Sequence, residues 1–137
     1  MKISFIVYGS IVSQQRINFT TKSGKQFGYT PIKTRNWKEV IRSEAIKVKP
    51  KKLLLKPLKM TLIFWFLIPK SKIKKNKGLQ QIWSIGNKDL DNLEKSVMDS
   101  CQKILYRNDN QICWNETRKR YTEGQEYIEI MFEELPL

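Results

Sequence analysis

The chain has no histidine and only two cysteines, Cys101 and Cys113. The first absence removes every His-based catalytic triad and most zinc sites. Two isolated cysteines form neither a metal knuckle nor a CxxC redox pair, and they read as reduced, partly buried thiols. No apolar run reaches the length of a bilayer span. The opening MKISFIVYGSIV lacks the small-residue cleavage pattern of a secretory leader and reads as a first strand. A cytoplasmic location, with no membrane partner, is the expectation. Acid is also scarce, but in one region only. Residues 1–88 hold two acids, Glu39 and Glu44, against twenty Lys or Arg, whereas residues 89–137 hold eleven acids against six bases. Hydrolytic chemistry in this chain must therefore rest on carboxylates, Lys, Ser or a carboxylate-bound metal ion, and the carboxylates are concentrated in the last third.

What the chain does have is aromatic mass and positive charge. Four Trp, five Tyr and six Phe among 137 residues, with 40% hydrophobic content, can support one core and argue against a disordered chain. A net charge of +13 with a pI near 9.8 attracts polyanions. Nucleic acid is the leading partner, because Lys and Arg release counterions from a phosphate backbone. A basic ribonucleoprotein or a membrane-surface protein would also explain the charge, but not the clustered aspartates.

Residues 2–8 are apolar and β-prone. Residues 13–30 are polar and can form a small hairpin around Ser23-Gly24. Thr30-Pro31 reads as a helix start, with Thr30 as cap and Pro31 in the first helical position, and the apolar spacing predicts a helix over 32–48. The run LIFWFLI within 58–68 is apolar on both faces, as expected of a central strand, and Pro69 stops it. Residues 70–88 read as a long basic loop within the domain. Its Lys70, Lys72, Lys74, Lys75, Lys77 and Lys88 are candidate DNA contacts, and a solvated loop is the plainer alternative. Trp83 interrupts the loop's polarity and can dock on the body, a partner subunit or a base. Leu90, Leu93, Val97, Cys101 and Ile104 fall in one narrow stripe of a helix over 89–105. Strands are expected over 111–121 and 125–133. The whole, 1–137, reads as one α+β domain: a mixed sheet of about four or five strands with two helices.

The chemistry-bearing stretch is Lys88-Asp89-Leu90-Asp91-Asn92-Leu93-Glu94-Lys95, followed by Asn108-Asp109-Asn110-Gln111-Ile112. In a regular helix, residues two apart point about 200° apart. Asp89 and Asp91 can share a cation only if Asp89 is the N-cap, outside the helix, with Asp91 in the first turn. The free N–H groups there also favour a phosphate. Lys95 projects on the same flank as Asp91, one turn on. Three carboxylates around one point would repel without a cation, and Mg²⁺ suits them because it takes oxygen ligands and binds phosphate. Bringing Asp109 to the helix start requires the next strand to run back alongside. The plainer readings remain open here: Asp89 only a cap, Asp91 and Lys95 a solvated pair, Asp109 a turn former, Asp99 a surface or interface residue.

The pattern Asp89-Leu90-Asp91-Asn92-Leu93-x-Lys95, then Asp99, then Asp109-x-Gln111-Ile112, resembles the RusA-type Holliday-junction resolvases of phages and prophages. The resemblance rests mainly on residues 86–121, and the order of elements is compatible over nearly the whole chain. It implies that Asp89, Asp91 and Asp109 are catalytic and bind a divalent metal, and that Lys95 is the family's essential lysine; Mg²⁺ is the expected ion, and the sequence leaves open whether Mn²⁺ substitutes. It also implies a homodimer that nicks two strands of a four-way junction symmetrically, serving DNA recombination and repair, with no small-molecule cofactor. An isologous dimer suits a two-fold substrate. Lys88 stands where many relatives have Pro, and Asn108 where they often have a second Asp. The competing function is a non-catalytic basic nucleic-acid-binding module.

Overall fold

The computed structural model describes residues 1–15, 18–75, 83–86 and 88–137, with the backbone alone at 18 and 73–75. Its elements follow the chain as strand β1 (Lys2–Tyr8), strands β2 (Asn18–Lys22) and β3 (Lys25–Tyr29), helix α1 (Ile32–Lys47), strand β4 (Leu58–Leu67), helix α2 (Lys70–Lys75), helix α3 (Leu90–Cys101), a 3₁₀ turn at Asp109–Gln111, and strands β5 (Ile112–Thr122) and β6 (Tyr127–Glu134). The architecture is α+β, as the composition and periodicity indicate.

Four strands form one mixed sheet in the order β1-β6-β4-β5. β6 runs antiparallel to β1 and β4, and β5 runs parallel to β4. β4 alternates along its length: Leu58, Met60, Leu62, Phe64 and Phe66 are buried, whereas Thr61, Ile63 and Trp65 are half-buried. The unbroken apolar run from Leu62 onward hides this alternation in the sequence. On the buried face, Ile3 and Val7 of β1 and Ile128, Ile130 and Phe132 of β6 join the cluster. Helices α1 and α3 cover that face and pack on each other, burying Trp37, Ile41 and Ala45 from α1 and Leu93, Val97 and Cys101 from α3. The β2–β3 hairpin turns at Ser23-Gly24, both at positive φ, and forms a separate two-stranded sheet.

Several expectations change in detail. The stretch 70–88 is not one loop. Residues 70–75 form α2, and Trp83 bridges antiparallel to Arg120 on the outer edge of β5. α3 ends at Cys101 rather than at 105, because Lys103 takes positive φ and the chain turns under Tyr106. Pro31, not Thr30, is the cap residue of α1. Three helices rather than two occur among the described residues. Of the two thiols, Cys101 is buried and Cys113 exposed.

Burial separates core from hairpin energetically. Phe64→Ala is expected to lower unfolding free energy by about 3–5 kcal/mol in urea titration. Phe19→Ala, at a position 64% exposed, should change it by no more than about 0.5 kcal/mol. Equal losses at the two positions would contradict this assignment of the core.

Candidate active site

Helix α3 lies between β4 and β5 in the chain. Asp89 is its N-cap, with φ −78° and ψ 141°, and its side chain makes no cap hydrogen bond. Its carbonyl instead accepts the Leu93 N–H at 3.1 Å. The carboxylate is thus not consumed by the helix it starts. Asp91 sits in the first turn, and Asp91 and Lys95 are both exposed. No ion pair joins these two among the described residues, so both remain directed to solvent.

The start of α3 is anchored by backbone carbonyls and lysines. The Lys88 Nζ donates to the Ile11 carbonyl at 2.5 Å and lies over the Phe66 ring. The Lys119 Nζ donates to the carbonyls of Lys88 at 2.7 Å and Gly86 at 3.3 Å. The Gln14 N–H donates to the Asn92 carbonyl. Glu126 closes the same edge, its Oε1 accepting from the Ile11 N–H and its Oε2 from the Leu67 N–H. Gly9 makes the close approach possible: its φ is +148°, and a Cβ there would stand 3.0 Å from the Trp37 ring.

Asp109 belongs to the other end of α3. Its N–H donates to Gln102 Oε1 at 3.1 Å. The Tyr106 hydroxyl lies 3.0 Å from Asp109 Oδ1 and 2.8 Å from the Met98 carbonyl, so one proton is shared between two acceptors. The 3₁₀ turn around Asp109 is held by its neighbours. Asn108 Oδ1 accepts from the Asn110 N–H, and Gln111 Oε1 accepts from the Arg107 and Asn108 N–H groups. The Gln111 Nε2 donates to the carbonyls of Leu54 and Lys56, tying the turn to the chain before β4. Gln111 of the motif is thus a positioning residue for Asp109. Spacing alone marks it without showing that role.

The residue beside Asp109 is Asp99, which is half-buried and paired with Lys38 of α1 at 3.2 Å. Burial holds the Asp109 carboxyl above the ordinary range, the Tyr106 hydrogen bond draws it back, and the Asp99 charge raises it further. Asp99, whose charge acts on Asp109, lies ten residues on from Asp89, roughly 15 Å along the axis of α3 at about 1.5 Å of rise per residue. The structure therefore brings Asp89 and Asp91 to one end of the helix and Asp109, Asp99 and Lys38 to the other. No group of three or more His, Cys, Asp or Glu residues able to hold a metal ion occurs among the described residues.

The basic candidates divide similarly. Lys70 is exposed at the start of α2. The Lys72 Nζ donates to the Tyr121 hydroxyl at 3.0 Å and sits over its ring. Lys74 and Lys75 lie on α2, where only the backbone is described, and Lys77 lies outside the described residues. Lys88 is turned inward as a strut. Lys38, Lys119, Tyr106 and Glu126 are site residues that sequence reasoning did not single out. The partners of Lys38, Lys119 and Glu126 lie 31 or more positions away along the chain, whereas those of Tyr106 are within eight.

A parallel strand pair with a helical crossover, one aspartate-rich helix start and a strongly basic chain define a nuclease-like α+β domain. Residues 9–133 match the family described as endodeoxyribonuclease RusA, and the chain belongs to that family. It is 33% identical over 110 residues to the crossover junction endodeoxyribonuclease rusA of Lactococcus phage r1t, covering 78% of each chain. It is 29% identical over 138 residues to the uncharacterized protein YqaN of Bacillus subtilis (strain 168), covering 97% of this chain and 96% of that one.

Two expectations follow for the Asp109 end. An acid whose folded pKa is raised weakens the fold wherever it is ionised, and this cost vanishes as pH falls through the folded value to below the unfolded one. Asp109→Asn should therefore raise Tm at pH 7, with a gain that shrinks on acidification; a gain that grows at low pH would reverse the assigned sign. Gln111→Leu removes four hydrogen bonds and should cost about 1–3 kcal/mol in chemical unfolding, against little change for Asn115→Ala.

Proposed function

We propose that this chain is a structure-selective endodeoxyribonuclease that resolves four-way DNA junctions by paired symmetric nicks, as a homodimer, in recombination and repair. The observation that carries the reading is the unpaired Asp89–Asp91 start of α3, with Lys95 one turn on, in a chain of the endodeoxyribonuclease RusA family. The phage r1t relative, a crossover junction endodeoxyribonuclease, supports the choice of substrate.

Divalent-metal dependence, on Mg²⁺ with Mn²⁺ as a substitute, is part of the proposal. The three aspartates of one chain do not fit a single ion, because α3 holds Asp109 away from the other two. The start of α3 meets a smaller demand: Mg²⁺ commonly takes one or two carboxylates and completes its shell with waters and substrate phosphate. When bound there, the ion would supply charge neutralisation for the scissile phosphate. The chain's own residues do the rest. The unpartnered N–H groups of the first turn of α3 favour an anion. Lys95 offers a positive charge beside the carboxylates, suited to the charge that builds on a phosphate oxygen. Asp109, held protonatable above the usual range, contributes to the reaction only if another chain or a substrate-bound rearrangement brings it to such a centre. Lys70, exposed at the start of α2, and the further lysines of 72–77 would supply sequence-independent phosphate attraction.

Asp91→Asn should abolish nicking of a synthetic four-way junction while leaving junction binding equal or tighter, read by gel shift beside cleavage with Mg²⁺ and with EDTA. Binding without nicking by the unaltered protein under Mg²⁺ or Mn²⁺ would instead favour the non-catalytic binding module. Neutralising Lys72, Lys74 and Lys75 together should weaken binding and flatten the slope of log affinity against log salt. An unchanged slope would remove these lysines from the phosphate contacts.

A further inference from the structure

The helices cover one face of the four-stranded sheet, and no described element packs on the other. Register places four rungs of side chains across that open face. They read Tyr8, Tyr127, Trp65 and Arg120; then Ile6, Glu129, Ile63 and Arg118; then Ser4, Met131, Thr61 and Glu116; then Lys2, Glu133, Lys59 and Trp114. In the first rung Tyr8 and Tyr127 lie 5.5 Å apart and Tyr127 stacks on Trp65 at 5.7 Å. Arg120 lies 4.9 Å from the Trp65 ring and 5.5 Å from Trp83. Ile6, Ile63 and Met131 line a trough of about 560 Å³ in the middle. Ile6 is 42% exposed.

Two observations say what this face is made for. Thr61 Oγ1, Trp65 Nε1 and Arg120 Nε are buried on it with no hydrogen-bond partner, a cost that a covering surface with polar groups relieves. Opposite charges also lie toward opposite sides of the face, apart from Glu116 on β5 and Lys2 on β1. Glu129 and Glu133 lie on β6 and form no ion pair among the described residues. Arg118 and Arg120 lie on β5, the far edge of the order β1-β6-β4-β5, and only Arg118 is ion-paired, at 3.7 Å to Glu116. A two-fold axis running along the strands between two stacked sheets sets β5 of one chain against the β1–β6 side of the other. The face is then complementary to itself, apolar centre to apolar centre and Arg118 to Glu129. Nucleic acid is the poorer occupant, because Glu116, Glu129 and Glu133 offset the cations of this face.

We infer that the open sheet face is the dimer interface, its occupant a second copy of this chain packed sheet on sheet. The inference rests on the homodimer proposed above and assigns its surface. Facing sheets stack about 10 Å apart, with strand directions within about 30° of each other. The DNA-directed parts, α2 and the start of α3, stay clear of this contact.

The test is the mass of the protein without DNA, by sedimentation equilibrium, for the unaltered chain, Ile63→Asp, Arg118→Glu, Glu129→Arg and the double variant Arg118→Glu/Glu129→Arg, with circular dichroism confirming the fold. The expected result is a two-chain mass for the unaltered protein, at least tenfold weaker association for each single variant, and recovery in the double variant. Recovery separates a broken interface from a damaged fold. A two-chain protein indifferent to all four variants overturns this interface and leaves the homodimer in place. A one-chain protein overturns both, and quenching of its tryptophans by oligo(dT) would give the face to unpaired nucleotides. Junction nicking is read on the same samples: a dimer sensitive to these variants that never cuts supports the interface and overturns the nuclease reading.

Discussion

Parallel pairing of β4 with β5 is the constraint from which the rest of the site follows. Adjacent parallel strands cannot be joined by a tight turn, so the chain must cross back along the sheet. Here α3 makes that return. A crossover helix starts at the carboxyl ends of the strands and finishes at their amino ends. The Asp89–Asp91 pair is therefore fixed at one edge of the sheet and Asp109, just before β5, at the other. Leu54, Lys56 and Tyr106 gather at the second edge for the same topological reason, and Gln111 fastens β5's start to the residues before β4.

Much of the positive charge near the helix start is structural. Lys88 and Lys119 direct their ammonium groups at backbone carbonyls of residues 11, 86 and 88. Charge-assisted hydrogen bonds of this kind are stronger than neutral ones, and they hold the irregular approach to α3 where no regular pairing is available. Glu126 does the same from the β5–β6 connection, satisfying N–H groups of two different segments. The edge that presents Asp89 and Asp91 is thus rigid by side-chain clamping. Among the described side chains, Lys70 and Lys95 are exposed and remain to meet phosphate.

The sheet itself is asymmetric in a way its composition conceals. Every β4 residue from Leu62 to Leu67 is apolar, yet only alternate ones enter the core. The second set is large and half-covered, and it lies beside tyrosines and a stacked arginine rather than beside a helix. A face of this kind is neither a finished surface nor a finished core. The same strand thus serves the core and the open face proposed as the dimer contact.

From the sequence alone, local pattern determined the strands at both ends, the hairpin at Ser23-Gly24, α1, the central β4 and the start of α3 at Asp89. Each depends on periodicity of two or 3.6, on a cap or on a breaking proline, which act over a few residues. The aspartate motif and its family likeness were equally local and legible. What the sequence did not determine was where α3 stops, since Ile104 continues the stripe that Lys103 breaks by its backbone conformation. Nor did it determine that residues 70–75 coil, or that Asp109 meets Asp99 and Tyr106 instead of Asp89. Those outcomes depend on which strands pair in parallel and on hydrogen bonds between residues up to 115 positions apart. Periodicity carries no information about such pairings, because a residue's face is set by its own element but its neighbours are set by the topology of all of them.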